Sequence, residues 1–248
     1  MQTILTAGAA VAAGGLLTGG YLYAANWPTS QIFGRTLIAG RDTDPQRHTV
    51  ALTYDDGPST RNTLPLLNLL AEFNVQATFF MISEHVRKHT ELARRVVAAG
   101  HVVGNHTAMH PNLSRKSPAR VRQELTACQQ TMEDLLGVSP VLFRPPYGAR
   151  RPDVLRTAHS LGLTPVMWNV TAKDWQPISK DAVQAFVDAG IASNRSRGTA
   201  SNILLHDASH LDGPEPATRA NSIAVTRTLL ERGTLRFTTP LAWLAAPR

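Results

Sequence analysis

Two carboxylates stand side by side at Asp55 and Asp56, in the stretch Thr53-Tyr54-Asp55-Asp56-Gly57-Pro58. Adjacent carboxylates repel, so either one is protonated or a positive charge sits between them. A metal ion would supply that charge, and the chain offers it further ligands. His106 and His110 are four apart, and one turn of helix, or a helix-like loop, puts both imidazoles on one side. Two imidazoles and one carboxylate bind a divalent cation and leave positions open for water and substrate. One acid of the pair would then ligate the metal, and the other would stay free to take a proton from water. The pair alone also reads as a loop acid capping a helix start. Gly57-Pro58 turns the chain so that both side chains can reach one place, because on a regular strand they would point to opposite faces.

Three more polar clusters follow apolar runs: Arg144-Pro145-Pro146-Tyr147-Gly148, Thr171-Ala172-Lys173-Asp174-Trp175 and His206-Asp207. A histidine held protonated by a carboxylate can give its proton to a leaving group. His101, His159 and His210 stand in no such cluster and read as structural.

The elements that must position these groups alternate along the chain. Strand patterns cover 50–54, 76–81, 102–103, 141–143, 165–170, 203–205 and 235–238. Helical spacing covers 60–73, 118–136, 152–161 and 219–232, and helices are also expected from Thr90 to a stop at Gly100 and from a Ser179 cap to a stop at Gly190. Ser117-Pro118 caps and opens the 118–136 helix, and Gly137 ends it. Seven strands separated by helices imply an α/β fold with a mostly parallel sheet. In parallel barrels the chemistry gathers at the C-terminal ends of strands. Five strand ends here carry the acids, imidazoles and arginine named above.

With 248 residues, 43% of them apolar, the chain can bury one sizeable core. The 25 Lys and Arg against 18 Asp and Glu give a net charge of +7. No dense basic block with interleaved aromatics is present, which excludes nucleic-acid binding as the expected role. Cys128 has no partner for an internal disulfide and sits in an apolar helical series, so it is expected in the core. Ile4–Ala25 carries no charge and is roughly long enough to cross a bilayer. Residues 1–25 are read as a membrane anchor or export signal, residues 26–47 as a linker and residues 48–248 as the catalytic domain. The expected location is the cell envelope, anchored or secreted.

TYDDGP, HTAMHP, RPPYG, KDW and LLHD, in that order, resemble the polysaccharide deacetylases, the nodulation-type carbohydrate esterases, over about residues 48–240. The resemblance implies a distorted seven-stranded (β/α) barrel, TIM-barrel-like. It implies Asp55 as general base and Asp56, His106 and His110 as metal ligands. Arg144 would orient the base, and the Tyr147 N–H would help stabilise the oxyanion. His206 would be the general acid, oriented by Asp174, and Trp175 and Leu204 would wall the acetyl pocket. Zinc is favoured, with cobalt or nickel as alternatives. The implied activity is metal-dependent removal of N-acetyl groups from an acetylated amino-sugar polysaccharide: peptidoglycan, chitin oligomer or exopolysaccharide. Alternatives are an O-acetyl esterase of the xylan type and a catalytically silent wall-binding protein. A monomer is expected. Thr171 occupies a position that is often acidic in the family, which puts substrate contacts or the His206 pKa in question.

Overall fold

Strand β1 (His48–Asp55) is buried on both faces along its whole length. Val50, Leu52 and Tyr54 join the large apolar cluster that includes Leu66, Leu70, Val225 and Leu229. The alternate positions Thr53 and Asp55 meet the Arg144 guanidinium instead. The period of two in the sequence thus becomes a packed outer face and a polar inner face. Each fully buried Leu or Val contributes about 1.5–3 kcal/mol, so this strand is a rigid base for the two acids at its end.

The computed structural model describes residues 19–42, 44–212 and 217–245. After α1 (residues 19–26) and β1 come α2 (Thr63–Glu72), β2 (Thr78–Met81), α3 (Ser83–Lys88), α4 (Thr90–Ala98) and β3 (Val102–Asn105). Next are α5 (Pro118–Leu136), β4 (Leu142–Phe143), α6 (Pro152–Ser160), β5 (Thr164–Pro165) and β6 (Val170–Thr171). The last are α7 (Lys180–Ser196), β7 (Ser201–His206), α8 (Ala220–Leu230), β8 (Leu235–Thr238) and α9 (Pro240–Ala245). The sheet order is β5-β4-β3-β2-β1-β7-β6, with β8 also paired to β1. Every strand pairing is parallel. β7 runs along one side of β1, while β2 and β8 share the other, β2 near its C-terminal end and β8 near its start. The result is a curled, incompletely closed parallel barrel wrapped by helices, as expected for a distorted seven-stranded barrel.

Several elements differ from the sequence reading. The run 165–170 is not one strand. Pro165 lacks an N–H for the ladder, and the Asn169 side chain takes the ladder's place by bonding Asn202 N and Ala200 O. Gly190 does not stop α7. A Cβ there would lie 2.8 Å from Val170, so this glycine lets the helix approach β6. α3 and α9 have no counterpart in the sequence reading. Cys128 is in the core as expected, where burial pushes its thiol up to about 12.

The segment read as a linker is packed over residues 37–42. Leu37 bridges to Val166 in parallel and exchanges backbone hydrogen bonds with Pro165 and Met167. On the other side Ala200 N donates to Gly40 O, and Asn202 donates to Ile38 O. These residues cross the gap between the end of β5 and the start of β7. Further back, buried Arg150 donates to the carbonyls of Gly148, Trp27 and Ser30, and Arg150 N donates to Ala25 O. α1 is thereby held against the loop that carries Arg144 and Tyr147. Among the described residues no helix is long and apolar enough to cross a membrane. Most of the segment read as an anchor, residues 1–18, lies outside the described residues.

Candidate active site

Asp55 is the last residue of β1 and pairs in register with Phe80 and His206. Asp56 follows with φ 76°. That left-handed residue breaks the strand's alternation, so the two acids no longer point to opposite faces. Such a conformation is costly for a residue with a Cβ and survives only where its surroundings hold it. Here Asp56 N donates to Phe80 O, and His85 Nδ1 bonds Asp56 O at 2.7 Å. Thr107, His110, Tyr147 and Lys173 also have positive φ, and all four lie in the loops after strands. Gly57 is required for a different reason. A Cβ on it would lie 2.3–2.6 Å from the Asp207 carboxylate.

His106 and His110 lie in a loop, not on a helix, with left-handed residues at Thr107 and His110. Asn105 Oδ1 accepts from Thr107 N, and Thr107 Oγ1 accepts from His110 N. Glu124, buried on α5, accepts from both Ala108 N and Met109 N. The loop brings His106 Nε2 to 3.4 Å and His110 Nε2 to 3.2 Å from Asp56 Oδ1. Donors about 2.1 Å from a tetrahedral ion are about 3.4 Å apart, so this spacing fits a bound divalent cation. Asp56 Oδ1 is buried and has no hydrogen-bond partner among the described residues. These three residues group as candidate metal ligands, all buried. Burial raises the Asp56 carboxyl, but His106, His210 and the other nearby imidazoles hold it well below the usual carboxylate range. Burial, with His106 adding, pushes His110 down to about 3, so its ring is neutral, as a ligand must be.

Asp55 stands outside this triplet. Its Oδ1 accepts from Arg144 NH1 at 2.7 Å, and its Oδ2 lies 3.7 Å from His106 Nε2. Arg144 is fully buried, also donates to Thr53 Oγ1, and lies 4.2 Å over the Phe80 ring. Burial lowers its pKa, with Asp55 opposing. The pair places one carboxylate at a fixed orientation next to the candidate ligands.

On the other wall, His206 ends β7. Asp174 accepts from His206 N at 2.7 Å and bonds its Nδ1 at 2.9 Å, and it also accepts from the Ser222 hydroxyl. Burial disfavours the charged ring, but the Asp174 carboxylate outweighs it, and the His206 pKa rises from 6.5 to about 9. Trp175 meets the His206 ring edge to face at 5.2 Å and is 44% exposed, and Tyr147, packed against His110 and His210, is 54% exposed, so exposed aromatic surface adjoins both histidine groups. Leu204 is buried with Met167 and Trp168. Thr171 accepts the Trp168 indole N–H at 2.8 Å. Asp207 is buried; its Oδ2 accepts from Thr63, and burial pushes it up to about 7 against that hydrogen bond.

Three side chains of the site were missed or misread from sequence. His85 and Glu124 hold backbone, and no motif points to them. His210, read as structural, lies in the site. Its N–H donates to Asp56 Oδ2 at 3.2 Å, and its ring stacks on His110 at 4.3 Å. Only its proximity to the His206-Asp207 pair could have drawn notice. His101, by contrast, is structural, accepting from Ala77 N.

Residues 42–166 match the polysaccharide deacetylase family. A chitooligosaccharide deacetylase of Rhizobium leguminosarum bv. trifolii is 38% identical over 161 residues, covering 64% of this chain and 71% of the relative. A peptidoglycan-N-acetylglucosamine deacetylase of Bacillus cereus is 37% identical over 134 residues, covering 54% of this chain but 49% of the relative. The fold superposes with a TM-score of 0.71 on a crystal structure of a peptidoglycan N-acetylglucosamine deacetylase in complex with 4-naphthalen-1-yl-N-oxidanyl-benzamide, at 28% identity over 85% of this chain and 92% of that one.

Proposed function

The chain belongs to the polysaccharide deacetylase family, and from that membership we propose that it hydrolyses N-acetyl groups from an N-acetylglucosamine-containing polysaccharide, releasing acetate and a free amine. The polymer is peptidoglycan, a chitin oligomer or an exopolysaccharide. The observation that carries this reading is the division of the two acids. Asp56 faces His106 and His110, while Asp55 is held apart by buried Arg144.

Asp56, His106 and His110 would hold a divalent cation, zinc by its donor set, with cobalt or nickel able to replace it. Such a cation acidifies a water and polarises the acetyl carbonyl when bound. Asp55 takes the proton as the water attacks, and Arg144 keeps its carboxylate aimed. The Tyr147 N–H, on a left-handed turn, faces the developing oxyanion. His206, charged at neutral pH, gives its proton to the leaving nitrogen, with Asp174 fixing the ring so that Nε2 is the donor. Trp175 and Leu204 bound the acetyl group. Residues 1–25 serve as a membrane anchor or export signal, and the enzyme works in the cell envelope as a monomer.

The test is acetate release from acetylated glucosamine oligomers, measured as purified, after chelation, and after zinc or cobalt is restored, with acetylated xylan alongside. Metal-restored release from the oligomers, lost in His106→Ala together with bound metal, supports the assignment. Release from xylan alone would replace it with an O-acetyl esterase. Metal content in His106→Ala equal to wild type would overturn the ligand set.

A further inference from the structure

A ligating histidine normally has its second ring nitrogen hydrogen-bonded, which fixes the tautomer and aims the lone pair. His106 follows this rule: its Nδ1 bonds Arg144 O at 2.8 Å. His110 does not. Its Nδ1 is buried with no hydrogen-bond partner among the described residues. Its backbone is held at φ 58° by Thr107 Oγ1 and places the ring, but no hydrogen bond at Nδ1 fixes the ring's rotation.

Two other rings flank it. His210 lies face to face with His110, centroids 4.3 Å apart and planes 21° apart. Tyr147 meets His110 edge-on at 4.7 Å and 65°. The flanking rings are tied to each other by a 3.2 Å contact between Tyr147 Oη and His210 Nε2. His210 reaches a second candidate ligand as well. Its backbone N–H donates to Asp56 Oδ2, the oxygen not facing His106 and His110, and so opposes rotation of that carboxylate. The turn that presents His210 is self-held: Ser209 N donates to Asp212 Oδ2, Asp212 N to Ser209 O, and Arg219 Nε to Ala208 O.

We propose that His210 is a positioning residue for the metal site, its ring replacing the missing hydrogen bond in orienting His110. This rests on the metal-site reading above. The ring contributes chiefly through the stack, with its Nδ1 also 3.8 Å from Asp56 Oδ2, and the backbone N–H, which any residue but proline retains, holds the same oxygen. Losing the side chain therefore loosens His110 first, removes a ring beside Asp56 and spares His106.

The full chain, stripped of metal, would be titrated with zinc against a chromophoric chelator, as wild type, His210→Ala and His210→Phe. His210→Ala is expected to bind zinc about 10–100-fold more weakly, the usual loss when a group that orients a ligand is removed. His210→Phe keeps the flat face and is expected to recover most of that loss. With cobalt, the visible absorption bands should shift in the alanine variant and return toward wild type in the phenylalanine one. Thermal unfolding of the metal-free variants should match wild type, which separates a positioning role from general destabilisation. Zinc affinity in His210→Ala equal to wild type overturns the proposal, and so does a phenylalanine variant as weak as the alanine one. Failure of the underlying reading is seen separately: wild type would then bind no zinc, or His106→Ala would bind it equally well.

Discussion

Replacing Asp174 by Asn should change the proton affinity of His206 more than any other single substitution in the site. In the folded chain burial pushes this imidazole toward neutrality, and the Asp174 carboxylate overrides that, raising the pKa from 6.5 to about 9. At about 1.4 kcal/mol for each tenfold change, the folded state prefers the charged ring by about 3 kcal/mol. At pH 7 nearly every molecule therefore carries the proton that the leaving amine needs. The assay is an NMR titration of histidine-labelled, metal-free protein, with His206 assigned by its absence in His206→Gln. Wild type should show a midpoint near 9. In Asp174→Asn both favourable contributions of the carboxylate go, burial remains, opposed by the weaker pull of Asp56 and Asp55, and the midpoint should fall well below 9. The stability corollary has a definite sign. A folded pKa raised above the unfolded one stabilises fully below about pH 6.5, and that contribution is lost as pH rises through about 9. Loading with zinc should lower the midpoint, because a nearby cation disfavours a second one. A wild-type midpoint at or below 6.5, or no change in Asp174→Asn, would refute the reasoning.

Asp55→Asn is expected to retain bound metal while turnover drops about 10²–10⁴-fold, the range for losing a general base; full acetate release in that variant would reject the role. Gly57→Ala would place a methyl 2.3–2.6 Å from the Asp207 carboxylate, and overpacking of that kind costs about 1–3 kcal/mol. Its thermal midpoint should fall by about 2–4 °C for each kcal/mol lost, and a variant as stable as wild type would show that Asp207 moves aside freely.

The site was legible in sequence where chemistry sits at strand ends. Asp55, Asp56, Arg144, Asp174 and His206 each follow an apolar run, and order along the chain is preserved as order around a parallel barrel. The loop geometry was not legible. His106 and His110 are four apart, which suggests a helical turn, but Glu124 and Asn105 fix a loop through bonds to its backbone, and such bonds leave no pattern at residues 106–110. Gly190 was misread for a related reason. A glycine that ends a helix and a glycine that lets a helix touch a strand look alike until Val170 is seen beneath it. His85 and His210 act from segments without a motif, so only three-dimensional proximity shows that they meet Asp56.

The arm at residues 37–42 has a consequence for solubility. β5 is the terminal strand of the sheet, and an uncovered strand edge is a template for pairing with another chain. Leu37 occupies that edge just beyond β5, at Pro165 to Met167. Shortening the chain past Leu37 would free those backbone groups to recruit a second copy. The damage would appear as self-association, and the same cut would take away the Trp27 and Ser30 carbonyls that hold buried Arg150 beside the Arg144–Tyr147 loop, although the candidate metal ligands themselves lie downstream of residue 50. A form cut before Ala24 keeps both the arm and the carbonyls that Arg150 holds.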